Sequence, residues 1–176
     1  FYTSLQSAPC FIEDMPVLIP FGVDQDPHFR ITRDIAPKIN KPKPALIHNI
    51  MIPALGGPKG KMSASNENET IYTTDSPEVV RKKINKYAFS GGQPDIEEHR
   101  KKGGNPDIDV SYQYLRIFFE PDDKKLEQIH DDYKSGKMLT GELKEILVEK
   151  INQFLASHQQ KREKAKNELD KFLLKD

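Results

Sequence analysis

From Ser76 onward the chain is punctuated at helix length, and this punctuation limits its fold more than any other feature. Ser76-Pro77-Glu78 combines a capping hydroxyl, a proline suited to a first helical turn and an acidic residue placed for the helix dipole. The spacing predicts a basic helix running to about Phe89 and stopped by Gly91-Gly92. Residues 95–102 predict a short charged helix ended by Gly103-Gly104. Asp109 or Asp107 caps a third, with Tyr112, Leu115, Phe118 and Phe119 as core. Residues 122–135 read as a fourth, with Leu126, Ile129 and Tyr133 in contact and Gly136 as its stop. Thr140 caps a long last helix whose apolar stripe is Leu143, Ile146, Leu147, Ile151, Phe154 and Leu155. Helices of this length, each with one apolar face, bury those faces against one another in an all-α helical bundle.

The first part of the chain has a different texture. Val17-Leu18-Ile19-Pro20, just before Gly22, reads as a buried strand of a parallel sheet. Asp26-Pro27 predicts a helix start with Asp26 as cap, followed by Phe29, Thr32, Ile35 and Ile39 at helical spacing; Pro37 kinks or ends that helix. Lys41-Pro42-Lys43-Pro44 is a linker, and the apolar stretch 45–55 fits either strand or helix. Gly56-Gly57-Pro58-Lys59-Gly60 predicts a flexible loop, with a polar stretch over 63–70. These readings place a domain boundary near residue 76: residues 1–75 form the tail of an α/β domain, and residues 76–176 the bundle. The start, Phe1-Tyr2-Thr3-Ser4, has neither an initiator Met nor a signal-peptide layout, so further chain is expected upstream.

Composition removes several classes of function. Lys plus Arg and Asp plus Glu both number 27, so net charge does not advertise nucleic-acid binding, and any such claim rests on local patches. No apolar run approaches the roughly 18 residues of a membrane-spanning helix. The single cysteine, Cys10, excludes an intramolecular disulfide framework, fits a reducing compartment and reads as apolar filler. His28, His48, His99, His130 and His158 show no paired metal spacing, so no protein-bound metal is expected.

Two strings can carry chemistry. Lys61-Met62-Ser63-Ala64-Ser65 follows the glycine-rich stretch. Its lysine suits phosphate oxygens, its serines and backbone N–H groups can hydrogen-bond a triphosphate, and Met62 is an apolar foot for the loop. By composition alone it also fits an exposed polar loop. It is not a P-loop: three residues rather than four separate Gly56 from Gly60, and Met62 stands where a hydroxyl is needed. The second string, Gly22-Val23-Asp24-Gln25-Asp26, lies at the carboxyl end of the predicted strand, where open α/β sheets bind ligands. Gly22 allows close backbone approach, Asp24 can accept from ribose hydroxyls, and Gln25 offers a donor and an acceptor to a small zwitterion. Asp24 or Asp26 equally fits a plain helix cap. A third feature is electrostatic. Between Glu78 and Gly104 seven Lys or Arg face four Asp or Glu, a local excess suited to phosphates, with Tyr87 and Phe89 nearby for stacking. Charge runs are also common on solvated faces.

These strings together resemble class I aminoacyl-tRNA synthetases of the tryptophan/tyrosine subclass. Lys61-Met62-Ser63-Ala64-Ser65 is similar to their second signature, and Gly22-Val23-Asp24-Gln25 to their ribose and amino-acid motif. The likeness continues through Asp26-Pro27-His28-Phe29-Arg30, Phe89-Ser90-Gly91-Gly92, Glu97-Glu98-His99-Arg100, Gly103-Gly104-Asn105 and Met138-Leu139-Thr140-Gly141-Glu142-Leu143-Lys144. It favours tryptophan over tyrosine, with the tyrosine relative as the alternative.

The resemblance implies the second half of a Rossmann-type catalytic domain over 1–75 and a helical anticodon-binding domain over 76–176. It implies that Gln6 and Gln25 hold tryptophan, that Gly22 and Asp24 contact the ribose, and that Lys61, Met62, Ser63 and Ser65 grip ATP, with Lys61, Ser63 and Ser65 serving catalysis. Lys82, Lys83, Lys86 and Asp95 are the candidates for tRNA. The implied substrates are ATP (with Mg²⁺ carried on its phosphates), tryptophan and tRNA(Trp), used by a cytoplasmic homodimer without membrane association. Two departures stand out. The family's first, His-containing signature is absent, so the chain is expected to hold half an active site and to be inactive alone. Relatives that read the first anticodon base place an acidic residue where this chain has Pro94, and Asp95 follows one position later, where it also fits a helix cap. A non-catalytic module that binds tRNA or a protein partner is the rival reading.

Overall fold

In the computed structural model, which describes residues 2–171 and 173, the chain divides into two units between Met51 and Ile52. The first unit contains helix α1 (Tyr2–Ser7), strand β1 (Leu18–Gly22), helix α2 (Asp26–Ile35) and strand β2 (Ala45–Asn49). The two strands run parallel, in register from Leu18 opposite Ala45 to Gly22 opposite Asn49. The stretch 45–55, open to either reading from its sequence, therefore begins as a strand. Phe21 of β1 stacks on Phe29 of α2 with ring centres 4.7 Å apart, and both pack with Cys10 in a small core. Burial pushes the Cys10 thiol above its usual range, consistent with a packing role.

Two details of this unit depart from the sequence reading. β1 is not buried along its length: Leu18 is 59% exposed, because among the described residues β1 pairs with β2 alone and its burial is confined mainly to Phe21. Asp26 does not cap α2. Gln25 holds that position, and the Asp26 carboxylate instead accepts from Arg30 at 2.5 Å and pairs with His48 at 2.7 Å. The His48 bond is the chief reason that the Asp26 carboxyl titrates below its ordinary range. Pro37 acts as expected: α2 ends at Ile35 and tightens into a 3-10 turn over Ala36–Ile39.

The second unit opens with strands β3 (Pro53–Ala54) and β4 (Gly57–Lys61), paired antiparallel. The glycine-rich stretch expected as a loop is thus largely a strand. Among the described residues five α-helices follow: α3 (Pro77–Tyr87), α4 (Ile96–Lys102), α5 (Val110–Tyr114), α6 (Asp123–Lys134) and α7 (Thr140–Lys166). The first four are capped by side chains at their starts. Ser76 accepts from the Val79 amide, Asp95 from Glu98, Asp109 from Ser111 and Asp122 from Lys124. Asp109, rather than Asp107, is the cap of α5, and Gly103 and Gly136 end their helices at positive φ. Leu55, Val80, Ile84, Leu115, Tyr133, Leu143 and Leu147 are all fully buried in the core between them.

The compact unit from Ile52 is mostly helical and includes the β3–β4 pair, which precedes the helices. Leu55 packs with Val80 and Ile84, and the Tyr114 hydroxyl donates to the Pro53 carbonyl at 2.5 Å, so this strand pair shares the helices' core. Two corrections apply here. Thr140 is the first residue of α7 and not its cap; the Glu142 carboxylate accepts from the Leu139 amide at 2.7 Å, and the Thr140 hydroxyl bonds Ser90 and Tyr133. Phe118 and Phe154, expected in the core, are 57% and 43% exposed. Beyond Tyr114 the helix widens into a π-helical turn over Leu115–Phe119, which shifts Phe118 out of the α-helical register that predicted its burial. No helix among the described residues is long and apolar enough to cross a membrane.

Candidate functional site

The carboxyl end of β1 gathers four of the sequence candidates. Gly22 ends the strand, Asp24 and Gln25 lie in the 3-10 turn that follows, and Gln25 leads into α2. Gly22 has no room for a side chain: a Cβ there would lie 2.8 Å from Met51 Sδ and 3.1 Å from an Asp24 oxygen. Gln6 comes to the same place from α1, and its amide nitrogen donates to Gln25 Oε1 at 3.2 Å. The Tyr2 hydroxyl donates to the same oxygen at 3.4 Å. Thr3 and His28 hydrogen-bond at 2.8 Å, tying α1 to α2 beside the pair. With its oxygen occupied, the Gln25 amide presents its N–H groups to an incoming acceptor. Sequence reasoning missed Tyr2 and His28 as residues that orient this corner. The four-residue spacing of Tyr2 and Gln6 on one helical face was the available signal.

In the second unit, Lys61 is exposed at the end of β4, opposite Pro53. Met62 turns inward and packs with Ile71 against the helical core, and its amide donates to the Ile52 carbonyl at 3.0 Å. The serines that follow remain exposed. Ser63 and Ser65 hydroxyls lie 2.7 Å apart, while the carbonyls of Ser63 and Ala64 are taken by Thr70 Oγ1 at 2.6 Å and Tyr72 Oη at 2.9 Å. The segment is thus fixed through its carbonyls and through Met62, with its lysine and serine hydroxyls on the outside. Thr70 and Tyr72 were not singled out from the sequence.

The lysines of α3 do not form one patch. Lys82 and Lys86 are exposed, the latter with its ammonium 5.1 Å from the Tyr87 ring centre. Lys83 faces inward. It donates to Asp75 at 2.7 Å and to the Thr70 carbonyl at 2.8 Å, with both charged side chains nearly buried. Arg81 pairs with Glu145 of α7 through both guanidinium nitrogens. The surface available to phosphates is therefore smaller than the charge count suggests. Asp95 caps α4 through a 2.7 Å bond from the Glu98 amide. Asp95 also borders a pocket of about 460 Å³ that reaches Thr140 and Glu142 at the start of α7. Among the described residues, no three His, Cys, Asp or Glu side chains gather in a way that could hold a metal ion.

The family model for class I tRNA synthetases (W and Y) matches residues 1–156. A tryptophan–tRNA ligase from Sulfurisphaera tokodaii is 57% identical over 171 residues, which is 97% of this chain and 45% of that protein. The cytoplasmic tryptophan–tRNA ligase of Homo sapiens is 49% identical over 180 residues, spanning 97% of this chain and 38% of its own length. Among solved structures, a product-bound parasite tRNA synthetase superposes with a TM-score of 0.87 at 48% identity, covering 92% of this chain and 45% of that one. The chain spans less than half the length of each of these relatives.

Proposed function

Since the chain belongs to the class I tRNA synthetases of the W and Y type, we propose that it is part of a tryptophan–tRNA ligase, contributing one portion of the active site and a tRNA-binding helical region. The observation that carries this reading is the Gln6–Gln25 hydrogen bond at the carboxyl end of β1. It sets two amides, 19 residues apart in sequence, beside the backbone of Gly22 and the carboxylate of Asp24. Such a corner suits a zwitterionic amino acid next to a ribose: amide N–H groups for its carboxylate, an amide oxygen for its ammonium, and Asp24 for the ribose hydroxyls.

In the first step, a carboxylate oxygen of tryptophan attacks the α-phosphorus of ATP. The bond from that phosphorus to the bridging oxygen breaks, and pyrophosphate leaves with the electron pair. A ribose hydroxyl of the 3′-terminal nucleotide of tRNA then attacks the acyl carbon and gives up its proton; the bond from that carbon to the phosphate oxygen breaks, and AMP departs with the electron pair. Neither step uses a protein nucleophile, so catalysis rests on positioning and on stabilising charge. Lys61 is assigned to the charge that grows on the leaving pyrophosphate, with Ser63 and Ser65 as hydrogen-bond partners and Met62 as the anchor of the loop. Mg²⁺ enters with ATP, held by phosphate oxygens. Residues from Ser76 onward form the tRNA-facing region, with Lys82 and Lys86 as phosphate contacts and the Asp95 pocket on the same side of the assignment. A cytoplasmic homodimer is part of the same reading.

The test is amino-acid-dependent exchange of pyrophosphate into ATP by the full-length protein. Exchange that responds to tryptophan and not to tyrosine supports the proposal. Exchange with tyrosine alone reassigns the specificity. Retained tRNA binding without exchange for either amino acid favours a non-catalytic module.

A further inference from the structure

The pocket beside Asp95 is bounded by two segments far apart in sequence: Gln93 and Pro94 on one side, and the approach to α7 with Leu139, Thr140 and Glu142 on the other. A single side chain spans them. His99 of α4 is 3% exposed, its Nδ1 accepts from the Gln93 amide at 3.4 Å, and its Nε2–H donates to the Met138 carbonyl at 2.9 Å. Both bonds together require the tautomer with its proton on Nε2. The ring also lies against Tyr133, with centres 5.3 Å apart. The space is closed at its base as well: a Cβ on Gly92 would sit 2.2 Å from Thr140 Oγ1 and 3.2 Å from His99 Nδ1. Gly91, next to it, is held by its own amide, which donates to the buried Asp109 carboxylate at 2.9 Å.

We propose that His99 is a positioning residue for tRNA: by bridging the Gln93 amide and the Met138 carbonyl it sets the width of this pocket, and so fixes where Asp95 and Glu142 meet an unpaired nucleobase. Polar walls with two carboxylates suit the amino and imino N–H groups on a base edge, and Pro94, Ile96 and Leu139 supply apolar surface for its face. His99 borders the pocket with almost none of its surface open, and acts on the RNA through the walls that it holds. The inference rests on the tRNA-ligase reading above.

The test uses the full-length protein and steady-state charging of tRNA, with tRNA-independent pyrophosphate exchange and thermal melting measured alongside. His99→Leu keeps the volume and removes both bonds; His99→Gln can restore them, since its amide donates to Met138 and accepts from Gln93. The expected result for His99→Leu is a KM for tRNA raised about tenfold or more, with kcat and pyrophosphate exchange changed less than about twofold. His99→Gln should bring that KM back to within about threefold of the wild type. Should His99→Leu fail to fold, His99→Asn, too short to reach both partners, takes its place with the same expectation. Equal KM shifts in the bridging and non-bridging variants would overturn the proposal, as would unchanged KM in both, or a loss of exchange in step with melting temperature. Absence of charging by the wild-type protein would reject the tRNA-ligase reading itself, which separates the two failures.

Discussion

Lys83 illustrates how a lysine counted in a basic run can have partners that the run does not show. Its pairing with Asp75 and with the Thr70 carbonyl joins the segment after the Lys61–Ser65 string to α3, and its ammonium lies 4.7 Å from the Tyr72 ring centre. These partners are 8 and 13 residues away, beyond any local spacing rule, so the sequence offered only a basic run. Lys83→Met should therefore lower unfolding free energy by about 1–3 kcal/mol, because it leaves a nearly buried carboxylate without its cation and with the Tyr72 amide as donor; urea denaturation measures this. Lys82→Glu and Lys86→Glu should change stability by less than about 0.5 kcal/mol. They should weaken tRNA binding and reduce its salt dependence, as read by filter binding across salt concentrations. Tyr133 is a second residue whose role follows from its partner. Its hydroxyl donates to buried Asp109 at 2.8 Å, and burial, chiefly, pushes it up to about 12. Tyr133→Phe keeps the ring and removes the donor, with an expected loss of about 1–3 kcal/mol in the same denaturation assay.

Among the elements, the helices of the second unit were legible because their signals are local: Ser76, Asp95, Asp109 and Asp122 each cap through bonds to amides two or three residues onward. What was not legible depended on distant partners. The glycine-rich stretch 56–60 carries no strand pattern, and becomes one only because Pro53 and Ala54 pair with it. The π-helical turn at Leu115–Phe119 likewise has no compositional mark. Glu120, just after that turn, holds three elements together: it pairs with Lys150 of α7 at 2.8 Å and accepts from the Asp122 amide, the cap of α6, at 3.1 Å. The Lys150 hydrogen bond is the largest cause of a Glu120 carboxyl held below its ordinary range. A depressed carboxyl stabilises the fold above its unfolded-state pKa, and that contribution disappears as pH falls through the folded-state value. Stability should thus fall on acidification below about pH 4.5, where an unfolded-state glutamate begins to bind protons. Glu120→Gln should lower stability at neutral pH and flatten that acid limb, as followed by thermal melts at a series of pH values.

For the molecule as a whole, the order of parts was readable. The strand-to-turn corner at Gly22–Gln25 and the capped helices appeared in the expected order, while the packing of Leu55 and Met62 on helices that come later in the chain had no local mark. Within the candidate site, Gln6 and Gln25 hydrogen-bond one another, and Tyr2 could be placed only once α1 was seen against α2. The central claim concerns Lys61, the charged group on the outer side of a segment whose Met62 is anchored in the core. A lysine that acts on the leaving pyrophosphate contributes in the transition state and not to amino-acid binding. The decisive measurement is tryptophan-dependent pyrophosphate exchange by full-length Lys61→Ala, paired with calorimetric titration of tryptophan. The proposed role predicts exchange slowed by roughly two to three orders of magnitude with a nearly unchanged Kd for tryptophan; exchange at the wild-type rate would contradict it.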